Sequence, residues 1–278
     1  MTKTYSRRDF LKAMGMVATG AVAAGLVGCG GSGTKTAATT AAATDGYTTV
    51  TKGKLTMISN FYFPPFVSMN DKTGDFEGFD VDLYKAICKK LDLEPNILPS
   101  VQFDTIVPTI KQGGKADVSI AAVTITDERM ESVDFSEPYL DSNQAIVVAK
   151  GSSETEETLN DASKQVVCQG GTTGDEWIGE NLPDAVRVPV DDVTAALTGV
   201  QTGLYQAMVV DLPVASYMLS QSFSDLEIVK EIPTGEQYGI AVSKDNPELT
   251  QAVNKALEDM KSDGTMKEIE TKWFGSEI

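Results

Sequence analysis

Residues 118–123 read Val-Ser-Ile-Ala-Ala-Val, a nearly continuous apolar run of the kind that forms a buried strand in a parallel sheet. A helical pattern over residues 103–112, ended by Gly113, comes directly before it. Residues 192–211 repeat this order, with a helical pattern, Gly203 and an apolar strand pattern. The similarity is one of pattern alone, and it favours two α/β units of about ninety residues each over one large sheet.

Strand and helix patterns alternate along the rest of the chain from Lys54 onward, which is typical of an α/β protein. The clearest helix begins at Phe79, because apolar residues recur there every four positions, with acids at its start and lysines at its end. Further strands are predicted at 55–59, 145–149, 166–168, 207–210 and 239–242. Further helices are predicted at 173–181, 192–202, 212–221 and 247–261, with a last short helix that ends at Phe274.

The composition excludes several classes of function. The 278 residues carry 23 Lys and Arg against 40 Asp and Glu, and this net charge of −17 argues against binding to nucleic acid. The chain has no His, so it contains no His-based nucleophile system, zinc site or general base. Its three Cys form no CxxC pair, which disfavours a thiolate metal cluster or a redox dithiol. We therefore expect neither a metal nor a cofactor.

The N-terminus has the features of an export signal. A basic start and a short apolar stretch rich in Ala and Gly precede Cys29. Residues 6–12 (Ser-Arg-Arg-Asp-Phe-Leu-Lys) resemble a twin-arginine signal, and residues 26–29 (Leu-Val-Gly-Cys) resemble a bacterial lipobox. We expect residues 1–28 to be a cleaved signal peptide and Cys29 to carry a diacylglyceryl anchor, with acyl chains such as palmitate.

The predicted mature chain begins with a tether. Cleavage removes four basic residues and one acid, so the net charge becomes −20 instead of −17. Residues 30–49 consist almost entirely of Gly, Ser, Thr and Ala, a composition that forms no core. A flexible chain of this length reaches about 25 Å. We therefore expect residues 29–53 to be a lipid-anchored linker that holds the folded part on the extracytoplasmic side of the cell membrane.

In open α/β sheets, ligands bind beyond the carboxyl ends of the strands. Arg129 follows such a strand end and the turn 124–127, where a guanidinium could grip a carboxylate with two hydrogen bonds. The alternative is an ordinary surface ion pair with Glu128 or Glu131.

A second strand end leads into residues 170–175 (Gly-Gly-Thr-Thr-Gly-Asp), which open a helix. Free backbone N–H groups and threonine hydroxyls at such a helix start form an anion site. The alternative is a capped helix behind a flexible turn. The segment is not a Walker loop, because no Lys follows the glycines.

Asp211 ends a third apolar run, and a carboxylate there is costly unless a cation or N–H groups meet it. The alternative role is helix N-capping before Pro213. Phe63 and Phe103 can form apolar plates around a ligand or serve as core aromatics. Together, a cation, an anion hole and an anion at strand ends predict a clamp for a zwitterion.

The chain from about Lys54 to Phe274 resembles the family 3 extracellular solute-binding proteins of polar amino-acid ABC transporters. The resemblance implies a periplasmic-binding-protein-like type II fold, with two α/β lobes joined by two crossover segments, near residues 140–144 and 234–238, around a central ligand cleft. By this resemblance, lobe 1 comprises residues 54–143 and 236–278, and lobe 2 comprises residues 144–235. The matching segments are 63–66 (Phe-Pro-Pro-Phe), 78–83 (Gly-Phe-Asp-Val-Asp-Leu), 103–108 (Phe-Asp-Thr-Ile-Val-Pro), 124–129 (Thr-Ile-Thr-Asp-Glu-Arg), 133–139 (Val-Asp-Phe-Ser-Glu-Pro-Tyr), 171–174 (Gly-Thr-Thr-Gly), 238–242 (Tyr-Gly-Ile-Ala-Val) and 272–275 (Lys-Trp-Phe-Gly).

The resemblance also implies roles for single residues. The ligand's α-carboxylate would be held by Arg129, by the backbone of Thr124 and by Thr173. Its α-ammonium would be held by Asp211 and by the backbone carbonyl of Ala122.

The ligand's side chain would lie between the rings of Phe63 and Phe103, in a pocket that Asn60 and Gln169 face. Many relatives have Asp where this chain has Asn60, which weakens the case for a cationic side chain. Neutral polar amino acids are therefore preferred, with cystine, arginine, glutamate and aspartate left open. Cys88 lacks the partner that some relatives have, and both Cys88 and Cys168 are expected to be free and buried.

We therefore expect a non-enzymatic, monomeric binding protein that delivers a free amino acid to an ABC permease. The alternative is a periplasmic dehydratase of the prephenate or arogenate type on the same scaffold, with Asp175 or Glu176 as the proton donor. A sensor module of a larger receptor is less favoured, because the sequence shows no second membrane segment or catalytic module.

Overall fold

The structure is a computed structural model that describes residues 46–70 and 72–277. The predicted signal peptide at 1–28, the lipidation site Cys29 and the linker up to residue 45 lie outside the described residues. Residues 46–53, which the linker prediction includes, pack on the folded part, because Tyr47 is buried in the core and the N–H of Val50 donates to Asp117 at 2.7 Å. Crossing a bilayer would need a longer or more apolar helix than any in the described part of the chain.

Most of the strands belong to two five-stranded sheets. The strands are β1 Lys54–Ile58, β2 Tyr62–Phe63, β3 Val67–Met69, β4 Phe76–Glu77, β5 Glu94–Ile97, β6 Val118–Ser119, β7 Asp134–Phe135, β8 Leu140–Ala149, β9 Gln165–Gln169, β10 Val186–Val190, β11 Ala207–Asp211, β12 Leu226–Tyr238 and β13 Ala241–Val242. The helices are α1 Phe79–Lys90, α2 Ile106–Gln112, α3 Asp127–Ser132, α4 Glu156–Leu159, α5 Thr173–Asn181, α6 Val193–Gln201, α7 Leu212–Gln221, α8 Pro247–Asp263 and α9 Thr265–Phe274.

Each large sheet defines one lobe. In the first lobe the strand order is β5-β1-β6-β13-β7, and in the second lobe it is β10-β9-β11-β8-β12. Both sheets have a parallel core, β5-β1-β6 in the first and β10-β9-β11 in the second, flanked by antiparallel pairs. This mixed α/β architecture in two lobes is the type II fold that was expected.

Strands β8 and β12 are the long antiparallel pair that the chain uses to pass between the lobes. Their register runs from Leu226 opposite Ala149 to Tyr238 opposite Leu140. The predicted crossover segments 140–144 and 234–238 lie in this pair. The lobe boundaries drawn at residues 143 and 236 stay a prediction.

The predicted strand at 118–123 is wrong over most of its length. Strand β6 ends at Ser119, and residues 120–123 leave the sheet while staying buried. Ala122 adopts a left-handed backbone with φ 47°, and its N–H donates to the Asp80 carboxylate at 2.7 Å instead of to a neighbouring strand. The apolar run therefore indicates that these residues are buried, and it does not indicate that all of them pair in a strand.

Cys88 and Cys168 are free and buried, as expected. Cys168 lies on β9, where burial and the neighbouring Asp175 raise the pKa of the thiol. A thiol that stays protonated is a poor nucleophile, which agrees with a packing role.

Candidate functional site

Arg129 lies at the start of α3 and is buried, with 9% of its surface exposed. Its guanidinium donates to the carbonyl of Thr124 at 2.8 Å and to the carbonyl of Gly171 at 3.0 Å, and it stands 5.5 Å from the centre of the Phe103 ring. Among the described residues it forms no ion pair with Glu128 or Glu131, so the surface-pair alternative is excluded.

The charge of Arg129 is only partly satisfied within the protein. A guanidinium has five N–H donors, and the two bonds to carbonyls are the hydrogen bonds it makes with described residues. Burial lowers the pKa of Arg129, while the negative charges of Glu176, Asp211 and Glu236 act in the opposite direction. Arg stays protonated in proteins, so the site keeps a fixed positive charge with donors left for an anion.

Two backbone N–H groups, of Thr124 and Thr173, lie in the segments whose carbonyls Arg129 contacts. Thr124 pairs with Tyr238 in an isolated antiparallel bridge, but the hydrogen bonds of the bridge come from Ile125 and Gly239, so the N–H of Thr124 is not used in it. Thr173 is the first residue of α5, where an N–H has no partner within the helix. The cap itself is Thr172, whose hydroxyl accepts from the N–H of Asp175.

The turn before α5 brings the two lobes into contact. Gly171 has φ +75°, and a Cβ there would lie 2.8 Å from the Cβ of Asp104 in the first lobe. A side chain larger than hydrogen is therefore excluded by both the backbone angle and the approach of the opposite lobe.

Asp211 is buried at the end of β11, with 4% of its surface exposed. One carboxylate oxygen accepts from Gln144 Nε2 at 2.7 Å, and the other accepts from the hydroxyl of Tyr238. Asp211 occupies the N-cap position of α7 but its side chain makes no capping bond, so the capping alternative is wrong. The carboxylate faces Gln144 and Tyr238 instead.

The charge of Asp211 depends on its surroundings. Burial raises the pKa of this carboxyl to about 7, and the nearby Glu236 adds to the shift, while bonds from Tyr238 and Gln144 and the charge of Arg129 act against it. A cation at this site would favour the ionised form. Asp211 is therefore a suitable acceptor for an ammonium group.

Asp80, which the sequence pattern does not mark as part of a site, holds Ala122 in its strained conformation. The carbonyl of Ala122 is the expected acceptor for the ligand's ammonium. Asp80 is fully buried and accepts from the Ala122 N–H and, at 3.1 Å, from the Tyr139 hydroxyl. Burial raises the pKa of Asp80 to about 7. Segment 78–83 contains Asp80, but the helix pattern there indicates it only as an acid at a helix start.

Asn60 and Gln169 meet across the lobes. Gln169 Nε2 donates to Asn60 Oδ1 at 3.0 Å and to the carbonyl of Asp191 at 2.8 Å, and Asn60 Nδ2 donates to the carbonyl of Val101 at 2.9 Å. Gln169 Oε1 is buried and has no partner among the described residues. This part of the cleft is thus lined by neutral amides with one acceptor unused.

The two predicted aromatic residues differ in position. Phe103 is half-buried beside Arg129 and borders a cavity of about 410 Å³ together with Arg129, Gly171 and Glu176. Phe63 is buried and packs on Phe66 with ring centres 6.4 Å apart. Its contact with a ligand stays a prediction.

Asp175 and Glu176 are the candidate proton donors of the enzyme alternative, and their surroundings differ. Asp175 accepts from the N–H of Gly171 at 3.0 Å and from Cys168 Sγ at 3.3 Å, and lies 3.4 Å from Arg187. Glu176 lies at the border of the cavity. In the described part of the chain, no cluster of acidic or Cys side chains is arranged to hold a metal.

Comparison with known proteins identifies the family of the chain. The model of the bacterial extracellular solute-binding proteins, family 3, matches residues 55–276. The L-cystine-binding protein TcyJ of Escherichia coli (strain K12) is 31% identical, with 78% of this chain and 80% of TcyJ covered. The glutamine-binding protein GlnH of an ABC transporter of Bacillus subtilis (strain 168) is 34% identical, with 74% and 75% covered.

Two solved structures have the same fold. An ancestral arginine-binding protein bound to glutamine is 40% identical with a TM-score of 0.74, and the match covers 81% of this chain and all of that one, 100%. The ancestral amino acid-binding protein AncCDT-1, a precursor of cyclohexadienyl dehydratase, is 36% identical with a TM-score of 0.74, covering 80% and 96%. The curated relatives TcyJ and GlnH are binding proteins and not enzymes. The chain belongs to the bacterial extracellular solute-binding proteins, family 3.

Proposed function

We propose that the protein is the extracytoplasmic substrate-binding component of an ABC transporter, which binds a free polar amino acid between its lobes and delivers it to a permease. The observation that carries this proposal is the pair of opposite buried charges, Arg129 on α3 of the first lobe and Asp211 at the end of β11 in the second lobe. Each charge is near enough to shift the pKa of the other. A zwitterion supplies the two opposite charges that such a site needs.

The α-carboxylate is bound by the free N–H donors of Arg129 and by the backbone N–H groups of Thr124 and Thr173. The α-ammonium is bound by Asp211 and by the carbonyl of Ala122. Because each half of this clamp takes groups from both lobes, the ligand binds the closed form more tightly and shifts the protein toward it.

The side-chain subsite favours a neutral polar group. Asn60 and Gln169 present amides, and the unpaired Gln169 Oε1 accepts a hydrogen bond from an amide or hydroxyl of the ligand. Neither residue supplies a charge that would offset a buried guanidinium or carboxylate.

A ligand panel tests this function. The melting temperature of the full chain is measured with each of the twenty free amino acids, with prephenate and with arogenate. A bound ligand raises stability by RT ln(1 + [L]/Kd), about 2.7 kcal/mol at a hundredfold excess over Kd. A polar amino acid that raises the melting temperature supports the proposal. Formation of product from prephenate or arogenate, assayed on the same samples, would establish the dehydratase alternative.

The attachment to the membrane is part of the proposal. The protein is exported by the twin-arginine route, cleaved before Cys29 and held by acyl chains at the outer face of the cell membrane, as a monomer on a flexible tether. The motifs at residues 6–12 and 26–29 support this. Mass spectrometry of the mature N-terminus tests it, and a C29S chain is expected to be released from the membrane.

A further inference from the structure

Glu236 lies on β12, the strand that passes between the lobes, and its side chain reaches into the cleft. One carboxylate oxygen, Oε2, accepts three hydrogen bonds: from the hydroxyl of Thr173 at 3.0 Å, from Gln144 Nε2 at 3.1 Å and from the hydroxyl of Thr124 at 3.2 Å. No Lys or Arg of the described residues forms an ion pair with it. The carboxylate is therefore held by neutral donors alone.

These donors come from both lobes. Thr124 follows β6 in the first sheet, whereas Thr173 begins α5 directly after β9 in the second sheet, and Gln144 lies on β8. A single oxygen atom thus joins the two sides of the cleft. Hydrogen bonds to a charged acceptor are stronger than those between neutral groups.

The two threonines that donate to Glu236 are the same two whose backbone N–H groups bind the ligand's carboxylate in the proposed function. With its hydroxyl held by Glu236, each threonine loses rotational freedom about χ1, and the peptide next to it is fixed. The distance between the two N–H groups is then set before a ligand arrives, which lowers the cost of ordering them on binding.

We propose that Glu236 is a positioning residue that latches Thr124 to Thr173 across the cleft and so assembles the carboxylate site from two lobes. Its part in ligand binding rests on the proposed function, whereas its part in closure does not. Other contacts also cross the cleft, from Arg129 to Gly171 and from Gln169 to Asn60. Loss of the latch therefore shifts the equilibrium toward the open form without abolishing closure.

The negative charge of Glu236 disfavours binding of an anion at the adjacent carboxylate site. A carboxylate beside an anion site repels the ligand's carboxylate, and Glu236 also disfavours ionisation of Asp211. If Glu236 were only a bystander, its removal would strengthen binding. The latch predicts the opposite sign, so the direction of the change separates the two roles.

The first test needs no ligand. Nitroxide labels are placed at the exposed positions 111 on α2 and 180 on α5, in the full chain with its three native cysteines replaced by Ala, and their distance distribution is measured by double electron–electron resonance. E236A is expected to raise the open-to-closed ratio about tenfold, as for the loss of hydrogen bonds to a charged group. T173V, which removes one donor at nearly constant shape, shifts the ratio in the same direction.

The matched control is E231A, which removes the same charge from the exposed side of the same strand, where Glu231 accepts from Asn143. The proposal is overturned if E236A and T173V leave the distribution of the parent unchanged, or if E231A opens the cleft as much as E236A.

A second test measures affinity for the twenty free amino acids by calorimetry. E236A is expected to weaken binding of the preferred amino acid about tenfold. The double variant E236A/T173V should bind no more weakly than whichever single variant has the lower affinity, because both changes break the same set of hydrogen bonds. Additive losses, or tighter binding by E236A, would overturn the role in the site. If the parent binds no amino acid, the proposed function fails while the label distances still decide on the latch.

Discussion

Arg129 and Asp211 are both buried charges of the cleft, but their partners differ in kind. Arg129 donates to two backbone carbonyls and keeps other N–H donors unused, whereas each oxygen of Asp211 already accepts a bond from a side chain. The guanidinium stays charged, while the pKa of Asp211 is raised to about 7. The comparison indicates that Arg129 offers the ligand's carboxylate a permanent positive charge, whereas Asp211 becomes fully ionised when the ligand's ammonium binds.

The largest expected effect comes from removing the permanent cation. R129A should weaken amino-acid binding by about 2–5 kcal/mol, or about 30-fold or more, because the ligand's carboxylate would be buried without its partner. Calorimetry is the measurement, and R187A, which removes an Arg with a half-exposed side chain, is the control. Binding by R129A within threefold of the parent would contradict the role of this residue.

The next effect comes from Asp211. D211N keeps the shape of the side chain but removes the charge, and we expect about 10- to 30-fold weaker binding, less than for R129A because the carbonyl of Ala122 still accepts from the ammonium. D184N, at an exposed acid of the same lobe, should bind as the parent does. Equal affinity of D211N and the parent would show that the ammonium binds elsewhere.

The pH dependence of binding sharpens the comparison. Since an ammonium favours ionised Asp211, the pKa of this carboxyl falls from about 7 on binding, and a proton is released when the ligand binds below pH 7. Affinity should therefore rise with pH by up to about tenfold per unit, then level off above about pH 7. D211N should lose this rise. Any dependence that remains in D211N would report on Asp80, whose pKa is also raised to about 7.

The stability of the unliganded protein should change with pH in the opposite direction to the affinity. Because the folded state holds protons on Asp211 and Asp80 that the unfolded chain has released, the free energy of unfolding should fall as pH rises from about 4 to about 7. Denaturant titrations of the parent across this range check the direction, and a saturating amino acid should reduce the fall by restoring the partner of Asp211.

The smallest effect concerns the strained residue on the ammonium side. Ala122 has φ 47°, a conformation that costs an L-residue about 1–2 kcal/mol. A122G should therefore raise the free energy of unfolding by about 1 kcal/mol. A121G, next to it in the chain and without a positive φ, should lower it by about 0.5–1 kcal/mol. A loss of stability in both variants would mean that the strain is not stored at Ala122.

The local parts of this structure were predictable from the sequence. Helices α5 and α7 begin and end at the predicted residues, because Thr172 and Pro213 mark their starts. The positions of Thr173 and Asp211 were predictable because apolar runs stop just before or at them. Arg129 lies beyond an apolar run too, but on helix α3 and not at the end of a strand. That these residues bind a ligand stays a prediction.

The remaining parts depend on pairing between distant segments. Strand β12 was missed because its 13 residues alternate poorly and contain Gly and Pro. Its pairing with β8 brings Glu236 to Gln144, a residue about ninety positions away that no local pattern connects with it. Asp80 was misinterpreted for the same reason, since its partner Ala122 lies 42 residues away.

The measurement that tests the account most directly is a calorimetric titration of the parent chain with the twenty free amino acids, followed by the α-carboxamide and the N-acetyl derivative of the one that binds most tightly. We predict that a polar amino acid binds and that each derivative, which lacks one charge of the zwitterion, binds at least about 30-fold more weakly. Equal binding of the derivatives, or no binding of any amino acid by the folded protein, would contradict the zwitterion clamp.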